Sequence, residues 1–219
     1  IFFITSPFFN PAFSAALPFV TEVILAPFSS FSVITPRNAP LVVVNAVYPL
    51  LADAGIMAIG VDTPGFGNSD VPDHAPTIAE YADAVTAVLD HMGIEVADIL
   101  GQHTGSAVAL EAVLRAPSRY RRLILNSPTP FTAEERHSML EAIIPRQRAW
   151  QLRADGTHLL EMWNRRIRAT GPSWTNVKAM HRNVVQMLVA GETLWHGHNA
   201  LLQYDFAGRI MQVTHRCLV

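Results

Sequence analysis

The chain has 219 residues, half of them hydrophobic and 16% charged, with a formal net charge of −2. That length suits one sizeable α/β domain, or such a domain with an insertion. It excludes two large independent domains, and the composition excludes a disordered chain. No basic stripe or acidic tail is present, so a nucleic-acid partner is not expected. The single cysteine, Cys217, excludes a disulfide-stapled secreted scaffold and makes a reducing, cytoplasmic setting the expectation. Residues 1–36 hold eight Phe, five Pro and one charged side chain, Glu22. A membrane helix needs about 20 apolar residues in a row, and Pro7, Pro11, Pro18 and Pro27 interrupt this run. A membrane span is therefore not expected, and the basic start of a signal peptide is missing. The segment reads as an atypical, β-rich N-terminal piece.

Regular patterns begin at Pro40. Pro40-Leu41-Val42-Val43-Val44 is a β-branched run that reads as a buried strand. Val47 to Gly55 reads as a short helix closed by glycine, and Ile56 to Val61 as a second strand. Thr77-Ile78-Ala79-Glu80 is a capping box opening a helix whose apolar face carries Tyr81, Val85 and Leu89. Val96 to Leu100 is a strand, Gly105 to Arg115 a helix that stops ahead of Pro117, and Leu123 to Asn126 another strand. Strands alternating with helices predict βαβ units and a parallel sheet. After Pro130 strand patterns vanish until Val213. A second capping box, Thr132 to Glu135, opens a helical block with helices near 132–144, 157–169, 175–190 and 192–204. Val213 to Val219 reads as the start of a strand, and with Ile at position 1 the ends suggest a piece of a longer chain.

Two motifs sit where such a sheet binds ligands, at its C-terminal edge. Asp62-Thr63-Pro64-Gly65-Phe66-Gly67-Asn68-Ser69-Asp70 packs two glycines and a proline into a loop after a strand. Gly101-Gln102-His103-Thr104-Gly105 follows a strand and opens a helix, the context of a nucleophile elbow. Glycines flank the central residue because neighbouring side chains would clash in so tight a turn. The turn projects residue 103 above the sheet and aims the N–H of Thr104 at any oxyanion formed there.

In this order and at this separation, the two motifs resemble the α/β-hydrolase superfamily, whose members carry Asp-x-Pro/Arg-Gly-Phe/Tyr-Gly-x-Ser ahead of the elbow. The likeness is to the capped small-molecule hydrolases: esterases, epoxide hydrolases, haloalkane dehalogenases and carbon–carbon bond hydrolases. It covers residues 40–130 and, more loosely, the helical block; Asp205 to Ile210 followed by Val213 resembles the approach to the next core strand. The resemblance implies a mainly parallel α/β-hydrolase sheet with an inserted helical cap. The core is then 37–131 and 206–219, the cap 132–205, and 1–36 the atypical segment. It implies a hydrolase acting on a small apolar substrate such as a carboxylic ester, without a cofactor, in a pocket between sheet and cap. His103 is then the catalytic residue, with Thr104, Asn45 and Gln102 as oxyanion and binding groups.

The chain departs from the family's pattern in three ways. Residue 103 is His where members have Ser, Asp or Cys. The His-Gly-x-Pro that usually supplies the second oxyanion N–H is replaced by Asn45-Ala46, running straight into the next helix. The triad acid and base of the family lie beyond Val219, and the other place where an acid is found offers Asn126 and Ser127. His103 thus admits three readings: a nucleophile forming an acyl-imidazole, a general base or orienting group, or a relic. The alternatives to a hydrolase are a non-catalytic ligand-binding protein on the same scaffold and an inactive fragment; a small-molecule substrate is the expected partner, and a homodimer is compatible with the sequence. The motif His196-Gly197-His198 invites a metal, but residues two apart on a helix do not share a face, so pocket-lining roles are expected instead. Trp150, Trp163, Trp174 and Trp195 read as core of the helical block, Arg165 to Arg168 as a solvated face, and Cys217 as buried.

Overall fold

The computed structural model describes residues 2–6, 23–25, 32–34, 44–67, 69–171 and 176–219. In chain order these form β1 (Phe2–Ser6), β2 (Val23–Leu25), β3 (Ser32–Ile34), α1 (Val44–Asp53), β4 (Met57–Ile59), α2 (Ile78–His91), β5 (Ala97–Gln102), α3 (Thr104–Arg115), β6 (Tyr120–Asn126), α4 (Ala133–Arg148), α5 (Thr157–Thr170), α6 (Val177–Ala190), α7 (Trp195–Gln203), α8 (Phe206–Ile210) and β7 (Arg216–Leu218).

The strands make one sheet in the order β2-β3-β4-β1-β5-β6-β7. β3 and β4 run parallel, as do β5, β6 and β7. β1 lies antiparallel between β4 and β5, with Ile4 opposite Ile59 on one side and Ile99 on the other. The α/β class read from the alternating elements holds, with two antiparallel ladders at β1 and a third between β2 and β3. Of the strand expected over 40–44, residues 40–43 lie outside the described residues, and Val44 instead begins α1.

The core follows from the apolar patterns. Ile78, Tyr81, Ala82, Val85 and Leu89 of α2 are buried together with Ala107 to Leu110 of α3 and with Ile59, Ile99 and Leu123 of the strands. Thr86 on α2 and Tyr120 on β6 are tied by a 2.9 Å hydroxyl–hydroxyl hydrogen bond. Glu111 of α3, 5% exposed, receives Arg209 Nη2 at 2.6 Å and Tyr204 Oη at 2.9 Å, locking α3 to the chain that follows α7. A 390 Å³ cavity beside this network is lined by Ile78, Glu111, Asn199, Gln203 and Tyr204. None of the elbow residues lines it.

The four expected helices between β6 and β7 are present as α4 to α7. α4 runs on to Arg148 through Pro145, further than 132–144, because the α4 face packed on α7 carries it past the proline. A second cluster of Trp150, Met162, Met180 and Val184, with Trp163 beside it, forms the block's own core. Trp195 is half-buried under the Arg148 guanidinium, 4.8 Å from the ring centroid, while Trp174 lies outside the described residues. Arg165 and Arg166 are half-buried, and burial lowers the pKa of both, so only Ile167 and Arg168 keep the solvated face expected of this run. Cys217 corrects another expectation: it is exposed, because among the described residues β7 pairs with β6 alone and all three of its residues are exposed. No helix among the described residues is long and apolar enough to cross a membrane.

Both capping boxes form with reciprocal bonds, Thr77 with Glu80 and Thr132 with Glu135. Loss of an N-cap hydroxyl costs about 1 kcal/mol. Thr77→Ala is expected to lower the unfolding free energy by that amount. Thr132→Ala should do the same within the same urea transition, because α7 ties the block to the core. A separate second transition for Thr132→Ala would show the block unfolding on its own.

Candidate active site

The elbow is built by close packing of backbone. A Cβ on Gly101 would lie 2.1 Å from the Gly105 carbonyl oxygen and 2.7 Å from the Ser106 nitrogen, so no side chain fits where β5 turns into α3. Ser106, fully buried, donates its hydroxyl to the Gly101 carbonyl at 2.9 Å and to the Asn126 carbonyl at 3.2 Å. The same Asn126 carbonyl accepts the His103 N–H at 2.9 Å. β5, β6 and the start of α3 are thereby pinned at one point, and residue 103 is forced to φ 53°, ψ −119°. That region is costly for any residue with a Cβ, by about 1–3 kcal/mol.

His103 is exposed at the tip of this turn, as the sequence predicts. Its Nδ1 lies 3.3 Å from Thr104 Oγ1, and partial burial holds its pKa below the usual histidine value. Thr104 opens α3, so its N–H is among the donors that a helix leaves without an internal partner. Gln102, half-buried, is the last residue of β5. Asn45 lies in the first turn of α1, and its side chain falls outside the described residues.

The loop after β4, residues 62–67 and 69–70, is tied down from within. A Cβ on Gly67, at φ 61°, would fall 2.1 Å from the Asp62 carboxyl carbon, so this glycine makes room for the aspartate. Ser69 Oγ donates to the Asp62 carbonyl at 2.7 Å. From the other side, Thr193 Oγ1 donates to the Gly65 carbonyl at 3.0 Å, and Gly197 packs on the Phe66 ring. The start of α7 therefore sits directly on this loop.

That seating divides the two histidines of α7. His196 is buried against the Gly65 turn, with no hydrogen bond to its Nδ1. His198 turns toward the elbow, where its ring lies edge-on to His103 with centroids 6.3 Å apart. Its Nδ1 is held by the buried amide of Gln147 on α4, 2.8 Å from Nε2 and 3.1 Å from Oε1. Burial, then the neighbouring His103 and Arg165, push its pKa down to about 4. Sequence reading flagged His198 as pocket-lining and had no signal for Gln147, because 51 residues separate the pair. No cluster of three or more metal-binding side chains occurs among the described residues.

Two predictions follow from this geometry. Relief of the backbone strain makes His103→Gly more stable than the parent by about 1 kcal/mol in urea unfolding; a destabilised variant would contradict the strain. His198 takes a proton in the unfolded chain near pH 6.5 but in the folded one only near 4. The unfolded state therefore binds more protons between those values, and stability falls as pH drops through that window. His198→Gln should flatten this acid limb, read from urea midpoints at pH 7 and pH 5.

Comparison with known proteins places the fold. Residues 42–200 match the family described as alpha/beta hydrolase fold. 2-Hydroxymuconate semialdehyde hydrolase of Pseudomonas putida is 40% identical over 68 residues, 31% of this chain and 24% of that protein. The dihydrolipoyllysine-residue acetyltransferase component of the acetoin cleaving system of Cupriavidus necator is 36% identical over 81 residues, 37% of this chain and 21% of that protein. The aligned chain thus spans about a quarter or less of these two relatives. The esterase of Exiguobacterium antarcticum superimposes with a TM-score of 0.60 at 17% identity, covering 82% of this chain and 67% of the esterase. With the matched family spanning most of the described core, the chain belongs to the α/β-hydrolase fold family.

Proposed function

We propose that the protein is a hydrolase that cleaves a small, neutral, rather apolar substrate such as a carboxylic ester, with His103 as the reacting group. The observation that carries the proposal is the intact elbow: packing strains residue 103 into a conformation whose use is to present one side chain at a helix N-terminus. An imidazole that is neutral near pH 7 can attack an ester carbonyl and carry the acyl group. In this reading the Thr104 N–H is a donor for the resulting oxyanion, and Asn45 and Gln102 complete the candidate binding groups. Burial lowers the pKa of His198 strongly and that of His103 in part, which favours an uncharged substrate over an ionic one. The helical block 132–205 acts in this reading as a cap over the core of 37–131 and 206–219, and α7 is its point of contact with the Asp62–Asp70 loop. The reaction needs only side chains and water, and the single cysteine fits a cytoplasmic setting.

The test is turnover of p-nitrophenyl acetate and butyrate by the protein. His103→Ala is expected to abolish it, and rapid acid quench of the parent should trap one acyl group per chain. Unchanged turnover in His103→Ala would remove His103 from the chemistry. Ligand-dependent thermal stabilisation without any turnover would mark the chain as a binding member of the fold instead.

A further inference from the structure

The elbow carries one histidine and α7 brings a second. With His198 Nδ1–H donating to Gln147 Oε1 at 3.1 Å, Nε2 keeps its lone pair free for chemistry. Gln147 is 7% exposed, so the amide cannot swing away without leaving a buried polar group unpaired. The His198 and His103 rings stand at 66° with centroids 6.3 Å apart. The second imidazole therefore stands edge-on beside the elbow residue. A reacting imidazole, a second imidazole beside it, and a buried orienting side chain behind the second form the sequence of roles that nucleophilic catalysis requires.

We propose that His198 is the acid–base residue of the His103 site, acting on the attacking water, with Gln147 as its positioning residue. This rests on the hydrolase reading above. In acylation, a His103 nitrogen forms a C–N bond to the carbonyl carbon and the C–O bond to the alcohol breaks. The proton shed by the other His103 nitrogen leaves with the alkoxide as alcohol. In the second half, the water oxygen bonds to the acyl carbon while its proton passes to His198 Nε2. The C–N bond then breaks, its electron pair returns to His103, and His198 gives back the proton, so the product acid departs and both imidazoles end neutral. His103 on the elbow and Arg165 on α5 are the charged or titratable groups that weigh against a cationic His198. The oxyanion formed during attack offsets them at the moment the proton moves.

The experiment measures pre-steady-state and steady-state hydrolysis of p-nitrophenyl acetate by the parent, His198→Gln, His198→Ala, Gln147→Leu and Gln147→Glu. General acid–base groups contribute about 10²–10⁴-fold. His198→Gln is expected to keep the initial burst of p-nitrophenol and lose steady-state kcat by at least ~10²-fold, with acyl enzyme accumulating. Free imidazole should restore part of the rate to His198→Ala, and Gln147→Glu should shift the acid limb of the kcat profile to higher pH. Gln147→Leu should lower kcat more than it changes KM. Turnover within twofold of the parent in both His198 variants, with His103→Ala inactive, would overturn the inference and leave the hydrolase reading standing. If the parent itself hydrolyses no ester, the hydrolase reading fails. The assignment of His198 then falls with it.

Discussion

The structure hangs on the contact between Gly101 and the Gly105–Ser106 backbone. Two chain segments approach there more closely than any Cβ allows, so β5 must turn into α3 within one residue, and that residue must accept a positive φ. The Ser106 hydroxyl makes the arrangement rigid by bonding two carbonyls on adjacent strands. Strain at His103 is thus not a local accident. It is over-determined by buried hydrogen bonds and by the apolar face of α3, which is packed between strands and α2.

The second constraint acts on the opposite wall. α7 is anchored by Thr193 to the Gly65 turn and by the absence of a side chain at Gly197, where Phe66 fills the space. With the helix held there, its alternate residues are committed to different neighbours. His196 is sealed against the loop, and His198 meets the elbow and Gln147. Two residues that read as one motif therefore serve two sites. The same rigid seating fixes the separation between the His103 and His198 rings, on which any shared chemistry depends.

Much of this was legible in the chain. The capping boxes at Thr77 and Thr132, the apolar period of α2 and the glycine spacing of the elbow each encode short-range geometry that tertiary contacts had only to accept. Long-range pairing was harder to read. Val44 belongs to a β-branched run, yet it enters a helix, because strand propensity is a weak preference that context overrides. Cys217 sits among apolar residues and is nonetheless exposed, because burial in a strand depends on what covers its faces and not on its neighbours in sequence. The position of β1 between β4 and β5 pairs residues far apart in the chain, and no local pattern reports such a choice.

The elbow's fold was set by the sequence alone. Glycine at 101, a small hydroxyl at 106 and an apolar strand before them leave the backbone one tight path, and each of those requirements is met by residues within a few positions of one another. What the tertiary structure decided was the company His103 keeps. Gln147, 51 residues before His198, reaches it because α4 packs on α7, and α7 is seated both on α3 and on the Gly65–Phe66 turn. Local sterics dictate conformation at a single residue, whereas the meeting of side chains from four elements depends on how their apolar faces are buried together.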